Sequence, residues 1–236
     1  MTVCLLALLP VLPAFAQDDY ALFREKAGEA ALLYRGQKAF VYNIIYNGTY
    51  YWTDPMFRPG SVNYRGKTYE DVPLNIDAVR QELLVRLPTG IIEKIVDGKY
   101  TPEFSIEGSR FLNLRLLYGE EMPAGYWKVL YDGPVKFLCC VKKHLEQDLD
   151  NSKRDMTGYS GPFRPKVFQA FIQEVSYGCL LIDGSFVPIR RRRDLLRLFE
   201  PSLRREIRRH VGRDVYGNVI PLERFCPEAL KYVESL

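Results

Sequence analysis

Between Gly60 and Leu87 the chain reads GSVNYRGKTYEDVPLNIDAVRQELLVRL, and this stretch constrains the fold more than any other. Ser61 to Tyr64 is short and rich in β-formers. Arg65-Gly66 follows, and Gly66 can take the positive φ of a tight hairpin turn. Thr68 to Val72 is the expected return strand. In Leu74-Asn75-Ile76-Asp77 apolar and polar residues alternate, which puts Leu74 and Ile76 on one face. Leu83, Val85 and Leu87 repeat the alternation, and Leu84 interrupts its polar face, so that strand is expected to be covered on both sides. Pro73 cannot donate a ladder hydrogen bond and belongs at an edge or a bulge. The stretch is read as an antiparallel meander.

The rest of the chain continues in this style. Asn47-Gly48 separates two aromatic runs within Lys38 to Trp52 and is expected to turn a hairpin. Ile91 to Val96, Glu103 to Ile106 and Phe111 to Leu114 are expected strands. Tyr126 to Tyr131 and Val135 to Val141 form the clearest hairpin, around Asp132-Gly133, and Gly178 to Ile182 with Phe186 to Ile189 form another. Asp18 to Gly36 reads as a helix, although Ala30 to Tyr34 could already be a strand. Glu146 to Pro165 is polar and reads as a long hairpin loop. From Asp194 the apolar period becomes helical: Leu203, Ile207 and Val211 form a stripe at four-residue spacing after Pro201, and Leu222 to Val233 reads as a last helix. The expected fold class is mainly β with a C-terminal helical segment at 194–236, an antiparallel meander or open sandwich built from hairpins.

The order VNYRGKTY, VPLNID, ELLVRL, EFSIEG and GYWKVLYDGPVKFL resembles a family of secreted, β-rich cell-envelope proteins of Bacteroides-group bacteria. AGEAALLYRG at Ala27 to Gly36 and the RDLLRLF segment before a second basic helix fit the same pattern. The resemblance runs from about Leu22 to Leu236. It implies an exported location and a β-rich fold, and it supplies no catalytic, cofactor or metal residues.

The chain opens with an apolar run from Val3 to Phe15, followed by Ala16 and Gln17. Small residues at Ala14 and Ala16 suit a signal peptidase, and the run is too short to span a bilayer. Residues 1–16 are therefore read as a signal peptide, without the usual basic n-region, and 17–236 as a single β-rich domain. No other run is long and apolar enough to cross a membrane, and the expected location is the periplasm or the outer membrane. Four cysteines then remain: Cys139, Cys140, Cys179 and Cys226. Neighbouring strand residues point to opposite faces, so Cys139 and Cys140 are not expected to bond to each other. One of them could pair with Cys179, or all could be buried free thiols.

Charge is concentrated. Arg190 to Arg213 holds ten arginines against Asp194, Glu200 and Glu206, a net of +7, whereas the chain as a whole is +4 and the remainder is therefore −3. Arg204, Arg205, Arg208 and Arg209 lie off the apolar stripe and are candidate contacts for an anionic partner: lipid head groups, lipopolysaccharide phosphates or an acidic envelope protein. Nucleic acid fits the charge but not an exported location. The plainer reading is a solvated helix face whose long side chains cover apolar surface.

Tyr50, Tyr51 and Trp52, beside a proline loop, are the rings expected to be most exposed and form a candidate glycan contact. Ring packing in the core is the plainer account of the aromatic density around them. Two histidines, His144 and His210, stand apart, and the chain lacks HExxH, a phosphate loop, a GxSxG elbow and CxxC. Neither a metal nor a cofactor is expected. A carboxylate-pair hydrolase leaves no local signature, and Asp77, Glu82, Glu93 and Asp97 near turns would be its candidates; the plainer reading makes them surface charges. The leading expectation is a non-enzymatic, exported binding or assembly partner of another envelope component, with a glycan-binding module and a carboxylate-pair hydrolase as alternatives.

Overall fold

The computed structural model describes residues 31–42, 47–87, 89–90, 93–148, 168–211 and 219–236. Ten strands form one antiparallel sheet: β1 (Arg58–Tyr64), β2 (Lys67–Asp77), β3 (Glu82–Arg86), β4 (Glu93–Val96), β5 (Glu103–Ile106), β6 (Ser109–Asn113), β7 (Tyr126–Asp132), β8 (Lys136–Asp148), β9 (Phe168–Leu180) and β10 (Phe186–Pro188). Their order is β10-β9-β8-β7-β6-β5-β1-β2-β3-β4. Two meanders, β1 to β4 and β5 to β10, are thus joined where β5 pairs with β1. Among the described residues four short helices are α1 (Leu114–Tyr118), α2 (Arg192–Leu196), α3 (Pro201–Val211) and α4 (Leu222–Glu234). The expected β fold with C-terminal helices is the observed one, as a single sheet.

The meander at 60–87 forms for the anticipated reasons. Arg65 and Gly66 both have positive φ, 52° and 77°, which matches the turn to the twist of β1 and β2. Pro73 falls just beyond the last β3 pairing, Leu74↔Val85, and faces Pro59 near the register shift between Gly60 and Val62. The missing N–H therefore costs no ladder bond. Leu74, Ile76, Leu83 and Val85 point inward to a core with Phe104, Phe111 and Tyr126. Leu84 points the other way and is equally buried, packed with Ala39 and Tyr51, so β3 is covered on both faces.

The cover is the segment before β1. Residues 37–39 run beside β4, with Ile95 N–H donating to the Gln37 carbonyl at 2.8 Å and Ala39 N–H to that of Glu93 at 2.9 Å. Gly36 permits this approach, because a Cβ there would lie 1.9 Å from the Ile95 carbonyl oxygen. Residues 47–52 then cross the sheet as a strap. Phe171 N–H donates to Asn47, Ala78 N–H to Tyr50, and Trp52 N–H to Ile76. The first arm of the hairpin expected around Asn47-Gly48 includes residues 43–46, which lie outside the described residues; Asn47 itself lies parallel to Ala170, where β9 offers unpaired edge groups.

β8 outruns β7, whose last pairing on that side is Lys128↔Cys139. Its next free edge group, Lys143 N–H, bonds the Ala78 carbonyl at 2.9 Å, and Gln81 links the Ala78 and Val141 carbonyls. The β2–β3 turn is thereby fastened to β8, which curls the sheet on itself.

Two readings are corrected. Phe111 to Leu114 was expected to be a strand, but β6 stops at Asn113, whose side chain caps α1 by accepting from Leu116 N–H at 3.5 Å. Of the expected helix at Asp18 to Gly36, the described part is a 3-10 turn at Leu32–Arg35. The rest of it, the signal peptide at 1–16 and most of the 146–165 loop lie outside the described residues. No described helix is long and apolar enough to cross a membrane.

Candidate functional site

The C-terminal helices pack on the face of β8 to β10 that carries Phe137 and Cys179. Ile207 and Val211 of α3 are buried there and Leu203 partly so, against Phe225, Ala229 and Leu230 of α4. The stripe read from the sequence is thus the docking face. What remains outward is basic.

The arginines divide into two groups. Arg192 lies over the Phe225 ring at 4.7 Å and donates to the Ile220 carbonyl. Arg204 donates to the carbonyls of Phe199 at 2.7 Å and Arg197 at 3.4 Å, so its head closes the end of the preceding segment. These two are structural. Arg205, Arg208 and Arg209 are exposed and have no ion pair among the described residues, and Arg190, Arg191, Arg193 and Arg197 are exposed too. Asp194 is the one acid that organises this surface. It accepts from the Arg190 and Arg191 N–H groups at 3.1 and 2.8 Å, with Arg193 and Arg197 at 3.9 and 3.8 Å. Desolvation opposes its ionisation, but those N–H donors and the two arginines hold its carboxyl below the ordinary range. Of the four arginines singled out in the sequence, three are free for a partner and Arg204 is engaged.

Tyr50, Tyr51 and Trp52 do not form an exposed platform. Tyr51 is 6% exposed, and Trp52 packs edge-on against Phe111 at 5.3 Å. Tyr50 and Tyr51 stack at 4.1 Å with their hydroxyls 2.7 Å apart. The Tyr51 hydroxyl donates to Glu93 at 3.0 Å, and Glu93 also receives Arg86 at 3.1 Å. Desolvation, then the Tyr50 hydroxyl, raise the Tyr51 phenol well above its usual range, which keeps it a hydrogen-bond donor. The rings were expected outside because they adjoin a loop; the strap turns Tyr50 and Tyr51 towards Leu84 and Ile95 and Trp52 into the core against Phe111 and Ala78.

Of the four candidate carboxylates, Asp77 and Glu82 stand opposite each other where β2 pairs with β3, and each of the four is engaged in contacts of its own. Asp77 is buried, not a surface charge. It accepts from the N–H groups of Val79 and Arg80 at 2.8 and 2.9 Å, and so shapes the β2–β3 turn; desolvation raises its pKa. Glu82 bonds Arg80, Glu93 bonds Tyr51 and Arg86, and Asp97 caps a 3-10 turn at Gly98–Tyr100. His144 lies 3.4 Å from Glu174, and His210 stacks on Tyr232 at 4.3 Å. Among the described residues no group of three or more His, Cys, Asp or Glu could hold a metal ion.

All four described cysteines are buried and free. Burial pushes the thiol of Cys140 up to about 11 and those of Cys139 and Cys179 to about 12, with Cys226 higher still. Cys179 packs with Cys226 rather than with Cys139 or Cys140.

Lys143 went unnoticed in the sequence. It is 8% exposed, and its ammonium donates to the carbonyls of Thr49, at 2.9 Å, and Tyr51. Strand alternation carried the signal, since Lys143 shares a face with Cys139 and Val141. Comparison with protein-family models, curated proteins and solved structures finds no match.

Proposed function

We propose that this chain is an exported, non-enzymatic binding component of a cell envelope that docks on a phosphate-bearing surface, anionic lipid or lipopolysaccharide, through Arg205, Arg208 and Arg209. One observation carries this reading. The apolar stripe of α3 is used up against α4, which leaves Arg205, Arg208 and Arg209 facing solvent around a single exposed acid of that helix, Glu206, with no ion pair among the described residues. Arginine suits phosphate because its planar fork donates two parallel hydrogen bonds. The exposed arginines at 190–197 extend the same positive field, and attraction of this kind raises encounter rates. The exported location rests on the signal-like start and the family resemblance, and the non-enzymatic part on the lack of a catalytic motif in the sequence.

Co-sedimentation with vesicles tests the reading. The chain should bind vesicles containing phosphatidylglycerol and ignore vesicles of phosphatidylcholine alone. Equal retention on both, or on neither, would contradict it.

A further inference from the structure

A cavity of about 480 Å³ opens at the outer edge of β9, just past the end of β10. Trp127 and Cys140 line it from β7 and β8, Lys142 and Arg190 are its cations, and Phe186 and Ile189 are among its apolar walls. The volume falls in the range of small-molecule sites. β10 pairs with β9 only from Gly178 to Leu180, so the mouth beside Val175 and Ser176 has no strand across it among the described residues.

The lining is electrostatically one-sided. It contains two cations and no carboxylate. Glu174, opposite Lys142 on β9, lies 3.4 Å from His144, and Glu223, next to the lining residue Leu222, accepts from the Tyr177 hydroxyl. Asp194 is engaged by the main-chain N–H groups of Arg190 and Arg191. Neither Lys142 nor Arg190 has a side-chain ion pair among the described residues.

The second observation is independent of charge. Trp127 is 3% exposed, and its indole N–H has no hydrogen-bond acceptor among the described residues. A buried donor left unmet costs about 1–3 kcal/mol, a cost that phenylalanine would avoid at the same place. The wall beside it is preformed. Phe186 meets Trp127 edge-on at 4.9 Å, and its ring lies over Gly178, where a Cβ would come within 2.0 Å.

We propose that this cavity binds a small organic anion, its acid group held by Lys142 and Arg190 and its apolar body set against Phe186 and Trp127. The acid can be a carboxylate or a phosphate. The site uses none of Arg205, Arg208 and Arg209, so it stands or falls separately from the docking surface.

Trp52→Phe leaves Trp127 as the one tryptophan of two and makes its emission a local reporter. The probes are octanoate and 3-phenylpropionate, each compared with its neutral amide, followed by emission and by calorimetry. At least one acid should bind saturably and at least about tenfold more tightly than its amide. The double variant Lys142→Gln, Arg190→Gln should weaken that binding by a similar factor, whereas Arg205→Gln, Arg208→Gln, Arg209→Gln should leave it unchanged. The proposal is overturned if neither acid binds saturably, if the amides bind equally well, or if the double variant binds like the parent.

Discussion

The ammonium of Lys143 donates to the main-chain carbonyl of Thr49 at 2.9 Å, across 94 residues of chain. Its second acceptor is the carbonyl of Tyr51. One buried cation therefore fixes the strap at 47–52 to β8, close to where β8 takes the Ala78 carbonyl through its own backbone. Lys143→Met keeps the apolar stem and removes the donors, leaving two strap carbonyls to lose their partner. Bonds from charged donors are worth about 1.5–3 kcal/mol, partly offset here by relief of desolvation, so a net loss of about 1–3 kcal/mol is expected. Urea unfolding measures it, together with faster proteolysis between Asn47 and Trp52. Unchanged stability and unchanged cleavage would mean that the strap is held by its other bonds.

The contrast between this strap and the meander shows what the residues announced. Arg65-Gly66 and the alternation through Leu74, Ile76, Leu83 and Val85 are local, and local pairing made β1 to β3 readable. The partners of the strap are Ile76, Ala78, Lys143 and Phe171, far away in sequence, and no spacing rule marks such contacts. The pairing of β1 with β5 is non-local in the same way. The arginine surface was readable because an apolar stripe at four-residue spacing defines the opposite face; of the four arginines singled out, Arg204, diverted to carbonyls, departs from it. The cavity at β9 was not readable, since its walls come from β7, β8, β9 and the segment after β10.

Asp77 sets a pH dependence. Desolvation raises its folded pKa above the unfolded value, only partly offset by the N–H donors of Arg80 and Val79. The native state thus takes up a proton before the unfolded state does. The ionised form carries a penalty above that folded pKa, and the penalty is relieved as pH falls through it. Asp77→Asn retains an oxygen for both N–H donors without the charge. The variant should match or exceed the parent in stability at pH 7, and its advantage should shrink as pH is lowered towards the ordinary aspartate range. Asp77→Ala should lose about 1–3 kcal/mol, because the donors lose their acceptor. A pH series of urea midpoints decides; an Asp77→Asn deficit at pH 7 that shrinks as pH falls would show instead that the charge itself is needed.

The buried thiols should be inert in the native state. With Cys140 raised to about 11 and Cys139 and Cys179 to about 12, little thiolate exists at pH 8. Iodoacetamide should leave Cys139, Cys140, Cys179 and Cys226 unmodified in folded protein and label them all in denaturant, as read by peptide mass spectrometry. Rapid labelling of any one in the native state would place that residue in a more open environment than the one described.

The basic surface is the central claim, and salt dependence tests it most directly. Affinity for phosphatidylglycerol vesicles is measured from low to physiological ionic strength, for the parent chain and for Arg205→Gln, Arg208→Gln, Arg209→Gln. Exposed charges are screened beyond a Debye length of about 8 Å at physiological salt, so parent binding should weaken steeply as salt rises. Each basic residue near such a surface contributes about 1 kcal/mol, which predicts a loss of about a hundredfold for the triple variant at low salt, together with a shallower salt dependence. Binding that ignores both salt and the three substitutions would contradict the account.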